Sequence, residues 1–425
     1  MPFSPLPHTD ATTSHLILGA GPAGLTMAKM LRDRGVEDVI ILEASDKVGG
    51  KCLSSEIGDH VVEFGTCYAI WSHKYILKQM KTLGIERKYL RAQRIDDREL
   101  LDYIKDGDGP PFMYQVLKYL RLRSKLMAHS QKTGAKRDKA NQTLAVSTDA
   151  WLKQHNLGKI ERMMHRVVTS IGYGYLHRLP LIHALRWVDF DMLVTGLLKF
   201  TVMPDGGWQN FWNRFSEPLD IRLGEAATEI LRDDEGVRVK TANGTEYRAP
   251  YLINTIPLNQ FCKLTQATDA ETHVAQSVEW GGYTTSLVSV AEWEHDVPVN
   301  AWSETCATDV NDGQILFSRF ECPNEDGRLL FTVGQLSSAY DLDELSELAL
   351  YSAKQRGAED PHLVQQIVWT YMPTYRPESI RDGLLQTMTD MQGEARTFHT
   401  GASFSHEAVS TISTFNQRLL AQVAA

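Results

Sequence analysis

Six residues, Gly19-Ala20-Gly21-Pro22-Ala23-Gly24, form the pattern G-x-G-x-x-G. In such a pattern the first glycine permits a tight turn and the second lets backbone approach a diphosphate. The third lets a helix pack closely on a strand. A helix opening there presents unpaired N–H groups and a partial positive charge to an anionic linker. Glu43 stands 19 residues beyond Gly24 (43 − 24), where an acid receives ribose hydroxyls. Its charge would repel a 2′-phosphate, which disfavours NADP. A second glycine turn, Gly49-Gly50, follows with Lys51 beside it. Two closely spaced glycine turns with an adjacent cation suit the longer FAD better than NAD. No second G-x-G-x-x-G is present, because Gly172-Tyr173-Gly174 lacks the third glycine and a preceding strand. A separate nicotinamide domain is therefore not expected.

The elements that must position these residues are legible around them. His15–Gly19 is a short apolar run of the buried-strand kind. From Pro22 to Arg34 the residues Leu25, Met27, Ala28 and Leu31 recur at helical spacing, and Gly35 closes the pattern. Val39–Leu42 is a second apolar run, so the whole reads as one βαβ unit with a parallel sheet. Helical periodicity appears at 72–83, 112–130, 148–155, 159–171 and 181–192. Strand-like runs return between 220 and 257 and alternate through 283–335, with helices again at 342–355 and 408–423. A nucleotide-binding core interrupted by helical and sheet-rich insertions is the expected layout.

Composition narrows the function classes. In 425 residues, 43% are hydrophobic and 23% charged, ordinary values for a globular chain. With 44 Lys+Arg against 53 Asp+Glu the net charge is −9, which argues against nucleic acid as a partner. No apolar run approaches the roughly 18 residues that span a bilayer. The five cysteines are scattered without a C-x-x-C pair, and the histidines show no metal-binding spacing. Neither a disulfide framework nor a metal site is expected, and a cytoplasmic location fits best. The proline-containing segment Met1–Asp10 reads as an extended arm without a signal-peptide pattern.

Gly19–Gly24, Glu43 and Gly49-Gly50-Lys51 resemble the opening signature of the flavin-containing amine oxidoreductase superfamily. The resemblance continues through Glu63-Phe64-Gly65, Pro204-Asp205-Gly206-Gly207, a hairpin from Ile230 to Pro257, and Thr400-Gly401-Ala402. Within that group the chain is similar to the flavin-dependent polyunsaturated fatty-acid double-bond isomerases. Those similarities lie at Gly172-Tyr173-Gly174, Pro180, Leu185, Asp189-Phe190, Trp369, Tyr371, Pro373, Gly383, Met391-Gln392-Gly393 and Arg396-Thr397-Phe398.

The resemblance implies an amine-oxidase-like α/β fold: a Rossmann-type FAD-binding core made of 1–88, 204–266 and 386–425, a mostly helical insertion at 89–203, and a sheet-based substrate domain at 267–385. It implies noncovalent FAD, with Ser403-Phe-Ser-His where a covalent-flavin cysteine would stand. Contacts to the cofactor are carried onto Gly19, Gly21, Pro22, Ala23, Gly24, Glu43, Ala44, Gly49, Gly50 and Lys51. Further along they fall on Gly65, Thr66, Ala227, Gly401, Ala402 and Val409. Three departures stand out. Ala402 replaces a usual glutamate. The arginine that meets a fatty-acid carboxylate falls on Arg91 or Arg94. An aromatic that closes the isomerase pocket is replaced by the small pair Thr195-Gly196.

Tyr173, Tyr175, Trp187, Phe190, Phe200, Trp208, Phe211 and Trp212 concentrate aromatic area within 40 residues. They read either as an apolar substrate pocket or as core between helices. Tyr173, Phe190 and Trp208, with Tyr371 and Arg91, are the substrate-binding candidates. Residues 113–139 carry Lys118, Arg121, Arg123, Lys125, Lys132, Lys136, Arg137 and Lys139 beside apolar positions at helical spacing. That stretch reads as a basic amphipathic helix touching an anionic membrane, or as a solvated helix followed by a Lys-rich loop. The expected chemistry is hydride transfer to flavin N5 from a hydrophobic small molecule, with no protein acid or base assigned. Isomerisation or desaturation of an unsaturated fatty acid is its sharpest form, and amine or amino-acid oxidation is the alternative. A non-catalytic module of the same fold, similar to the Rab GDP-dissociation inhibitors that bind prenylated partners, is the alternative of another class.

Overall fold

A computed structural model describes residues 11–90, 93–294 and 298–423. The helix Pro22–Arg32 follows the strand His15–Leu18 directly, as the apolar run and the glycine turn require. Its sheet has five strands in the order Asp220–Arg222, Val39–Leu42, His15–Leu18, Tyr251–Asn254 and Thr397–His399. Every pairing in it is parallel, with Leu16 opposite Ile40 and Leu252, and Ile253 opposite Phe398. Strands buried on both faces read as unbroken apolar runs, which is the pattern of His15–Leu18 and Val39–Leu42. Three distant stretches of chain therefore build one parallel sheet.

The second large layer is a seven-stranded sheet, ordered His362–Tyr375, Val278–Val290, Leu329–Leu336, Phe317–Pro323, Val299–Ala301, Gln93–Ile95 and Arg98–Glu99. Its long central strands pair antiparallel, Tyr283 facing Leu336 on one side and Trp369 on the other. Smaller sheets flank the core, among them the hairpin Ser54–Ile57 with His60–Glu63. The segment from Leu100 to Leu198 is helical throughout, apart from its turns. The α/β expectation, with an amine-oxidase-like division into a parallel core, a mixed sheet and a helical insertion, holds.

Two local readings change. The periodicity at 159–171 predicts one α-helix. The structure instead passes from the α-helix Gly158–Met164 into a π-helix at His165–Tyr173. The stretch 113–139 is neither one continuous helix nor a helix followed by a loop. The helix Phe112–Ser130 ends, Gly134 turns with φ of +62°, and a second helix runs Ala135–Leu144. The amino-terminal arm Met1–Asp10 lies outside the described residues.

Candidate active site

The turn between His15–Leu18 and Pro22–Arg32 has the geometry of an anion cradle. A Cβ on Gly24 would lie 2.0 Å from the Gly19 carbonyl oxygen, so this position must be glycine for the helix to meet the strand. No side chain caps the helix N-terminus, and Gly21 stands at its N-cap in an extended conformation. The second glycine turn meets it there. A Cβ on Gly50 would lie 3.1 Å from the Gly21 Cα, whereas one on Gly21 meets nothing nearer than 3.9 Å. The two turns thus touch on one side and leave room in front of Gly21, the space a diphosphate needs.

The remaining cofactor candidates converge on this turn from later visits of the chain. Glu43 Oε2 accepts from the Ala20 N–H at 2.7 Å, and its Oε1 accepts from the Ser45 N–H at 2.9 Å. Ala44 is exposed beside it. The Glu225 N–H donates to the Glu43 carbonyl at 2.8 Å, which brings Ala227 at the head of Ala227–Asp233 alongside. Gly401 approaches from the last segment, its built Cβ position 3.8 Å from Ala23 Cβ, with half-buried Ala402 following. Asn416, on the helix Val409–Val423, donates to the Ala23 carbonyl at 2.8 Å and to Thr26 Oγ1 at 2.9 Å. Its Oδ1 accepts from Thr400 Oγ1 at 2.5 Å. Asn416 and Thr255, whose hydroxyl donates to the Leu18 carbonyl at 2.6 Å, are the clasp that sequence reading missed. Only an asparagine buried on an apolar helix face could have signalled it.

Lys51 is expected against the diphosphate. Here its Nζ donates to Glu407 Oε1 at 2.7 Å and sits 4.7 Å from the ring centres of Trp280 and Tyr371. Glu407 Oε2 accepts from the Met372 N–H at 2.7 Å, and its own N–H donates to Tyr173 Oη at 2.8 Å. Burial pushes the Glu407 carboxyl up, with Lys51 opposing the shift.

Beyond Glu407 opens a cavity of about 420 Å³. Gly65, Thr66, Tyr371, Met372, Glu407, Ala408 and Val409 line its inner end. Arg166, Val167, Ser170 and Ile171 of the π-helix form one side, and Tyr283, Thr285 and Phe317 of the seven-stranded sheet another. Thr195 and Gly196 take part in the wall, the Thr195 hydroxyl accepting from the Trp71 N–H at 3.1 Å. Leu101, Met113, Leu117 and Phe190 also line the cavity while exposed to solvent, and so mark its mouth. His73 lies in the wall with neither ring nitrogen bonded, and burial pushes its pKa down to about 3, so the ring is neutral.

The substrate candidates divide. Tyr371 lines the cavity and Phe190 stands at its mouth. Tyr173 does not line it. Its ring stacks on His406 with centroids 4.2 Å apart, and it supports Glu407 from behind. Trp208, expected in the pocket, is fully buried with Phe211, Trp212 and Phe215 in the core beside the parallel sheet. The Trp208 ring is aromatic mass that packs the helix Gly207–Ser216, and the Trp208 backbone N–H donates to Glu63 Oε1 at 2.8 Å. Arg91 lies outside the described residues. Arg94 is on the strand Gln93–Ile95 and does not line the cavity, whereas its neighbour Gln93 does. Among the described residues no cluster of His, Cys, Asp or Glu could hold a metal, and all five cysteines are unpaired.

A parallel sheet that runs into a double glycine turn, with a mainly apolar cavity opening beyond Glu407, defines a class. The chain belongs to the flavin-containing amine oxidoreductase family, whose model matches residues 22–358. FAD is its cofactor, and the space in front of Gly21 fits the diphosphate. Two similar proteins are polyamine oxidase 3 of Oryza sativa subsp. japonica, 24% identical over 264 residues, and the flavin-containing amine oxidase B of Bos taurus, 32% identical over 264 residues. Those alignments take 58% and 57% of this chain but only 52% and 50% of the relatives, so the chain spans about half their length. The fold is shared with the CLA-producing fatty acid isomerase from P. acnes at a TM-score of 0.82 and 21% identity, covering 96% of this chain and 98% of that one. It is also shared with putrescine oxidase in a complex with putrescine, at a TM-score of 0.72 and 17% identity, covering 98% and 100%.

Proposed function

We propose that the protein is an FAD-dependent enzyme that withdraws a hydride from a hydrophobic small molecule. An unsaturated fatty acid is the substrate class favoured, with double-bond isomerisation or desaturation as the outcome. The observation that carries this reading is the mainly apolar cavity that leads from the exposed mouth at Met113, Leu117 and Phe190 to Gly65-Thr66 and Glu407–Val409. When bound, FAD supplies the hydride acceptor. The chain's own part is to hold an apolar substrate and keep water out. Val116, Leu120, Met163, Ile171 and Leu193 provide walls against which an aliphatic chain sheds its hydration. Likeness in fold to a fatty acid isomerase over nearly the full length supports the lipid version. Amine oxidation is the second reading, supported by the names of the relatives and by Tyr371 in the wall. The intact glycine cradle counts against a non-catalytic lipid-binding module. Unpaired thiols agree with a cytoplasmic setting.

Product analysis by mass spectrometry separates these readings. Linoleate turned over with unchanged mass is isomerisation, and loss of two hydrogens is dehydrogenation. Ammonia released from amines, with no change in unsaturated acids, would replace the lipid reading by amine oxidation.

We also propose that the mouth faces an anionic membrane surface. On the helix Phe112–Ser130 the exposed residues Met113, Leu117, Arg121 and Lys125 follow one another at four-residue spacing, apolar at the cavity and cationic beyond it. Residues four apart share a helix face. Among the described residues no helix is long and apolar enough to cross a membrane.

A further inference from the structure

Among the described residues, one charge in the cavity wall has no counterpart. Arg166 is 5% exposed and lines the cavity. Its Nη1 donates to Ser170 Oγ at 2.8 Å, and its Nη2 makes only a long contact of 3.4 Å to Gln93 Oε1. Both partners are neutral. Its Nε is buried and has no partner among the described residues. A guanidinium stays protonated in any protein setting, and a buried charge without a counter-ion is unfavourable. The other ionised groups among the described residues of the wall are already matched. Glu407 is paired with Lys51, and Glu99 with Lys199 at the mouth. Arg319, the other guanidinium buried nearby, bonds Glu321 at 2.6 Å.

The π-helix is what holds Arg166 in this position. Ser170, one turn on, gives its hydroxyl proton to the Arg166 carbonyl and so is left to accept from the guanidinium. The Ser170 carbonyl in turn accepts from Tyr283 Oη at 3.1 Å. Gln93 is fixed by its own donation to Thr201 Oγ1 at 3.3 Å. The Nε–Nη2 edge of a guanidinium is the edge that takes a carboxylate with two parallel hydrogen bonds. Here that edge carries a vacant Nε and a weakly engaged Nη2.

We propose that Arg166 is the anion socket of the cavity, binding the carboxylate of an elongated apolar ligand and excluding ligands that carry an ammonium group there. This rests on the reading of the cavity as the substrate site. It separates the two chemistries left open above, because an amine substrate would bring a second cation against a buried one.

The test uses the FAD-loaded enzyme and three probes of one chain length, dodecanoate, dodecan-1-ol and dodecylamine, with binding followed through the flavin absorbance. The wild type is expected to bind dodecanoate at least about 30-fold more tightly than dodecylamine, as a charge-assisted bidentate contact implies. Arg166→Gln is expected to weaken dodecanoate about 30-fold and to leave dodecanol within about 3-fold. A wild type that prefers the amine, or treats acid and amine alike, overturns the socket whether or not the variant folds. So does an Arg166→Gln enzyme that keeps the preference for acid over alcohol. Conversion of linoleate by Arg166→Gln with unchanged KM would remove the socket and leave the proposed function standing. Tight dodecanoate binding lost in Arg166→Gln, with no turnover of any unsaturated acid by the wild type, would do the reverse.

Discussion

Glu63 shows how one carboxylate can record the state of the whole interior. It has no exposed surface, yet both its oxygens are satisfied, by the Trp208 N–H and by the Ser54 hydroxyl, each at 2.8 Å. Burial raises its pKa from 4.5 to about 7, against the opposing pull of those donors and of Arg319. A folded-state value above the unfolded one means the native protein holds this proton more tightly. Its contribution to stability is present below pH 4.5 and is lost as pH rises through 7. The shift corresponds to roughly 3 kcal/mol. Glu63→Gln keeps an acceptor for Trp208 and a partner for Ser54 but cannot ionise. Denaturation midpoints measured from pH 5 to pH 8 should therefore move in favour of the variant by about that amount. Parallel pH profiles for variant and wild type would refute the assignment.

At the scale of elements, the helix Phe112–Ser130 does two things, lining the cavity with Val116 and Leu120 and presenting Arg121 and Lys125 outward. A basic residue near an anionic bilayer contributes about 1 kcal/mol. Reversing both charges, as Arg121→Glu with Lys125→Glu, should lower co-sedimentation with phosphatidylserine vesicles by tenfold or more and leave neutral vesicles unaffected. Equal sedimentation of both proteins would withdraw the membrane contact.

The same helix shows what could be read from the chain beforehand. Its limits, and those of Leu342–Gln355, follow from apolar periodicity because each buries one stripe on a core. The glycine turns were legible because at Gly24 close backbone approach, and at Gly19 and Gly49 a positive φ, favour no other residue type. The π-turn at His165–Tyr173 was not, since the apolar pattern of an α-helix and of a slightly wider turn are alike over so few residues, and the contact of its Ser170 carbonyl with Tyr283 is made only in the folded chain. Trp208 was misplaced for a related reason. Aromatic area predicts burial, but only the tertiary path of Gly207–Ser216 decides which core receives it. Arg166 was overlooked because nothing in its neighbours announces that Gln93, seventy-three residues earlier (166 − 93), would be its partner.

For the whole molecule, the central fact is that the cradle is completed by chain that returns to the parallel sheet three times, at Asp220–Arg222, Tyr251–Asn254 and Thr397–His399. Gly401, Asn416 and Thr255 then close on a turn laid down near residue 20. Gly21 offers the cleanest probe of what that closure is for. Its backbone has φ of −76° and ψ of 179°, which any residue adopts, and a Cβ there would meet, apart from its chain neighbours, nothing nearer than the Gly50 Cα at 3.9 Å. The protein alone does not need glycine at this position, whereas a diphosphate lying against the turn does. The decisive measurement is the flavin content of purified wild type and Gly21→Trp, read from the absorbance near about 450 nm. The wild type should carry close to one FAD per chain, and the variant should keep the same circular dichroism with less than about a tenth of the pigment. A folded Gly21→Trp protein as yellow as the wild type would contradict the account.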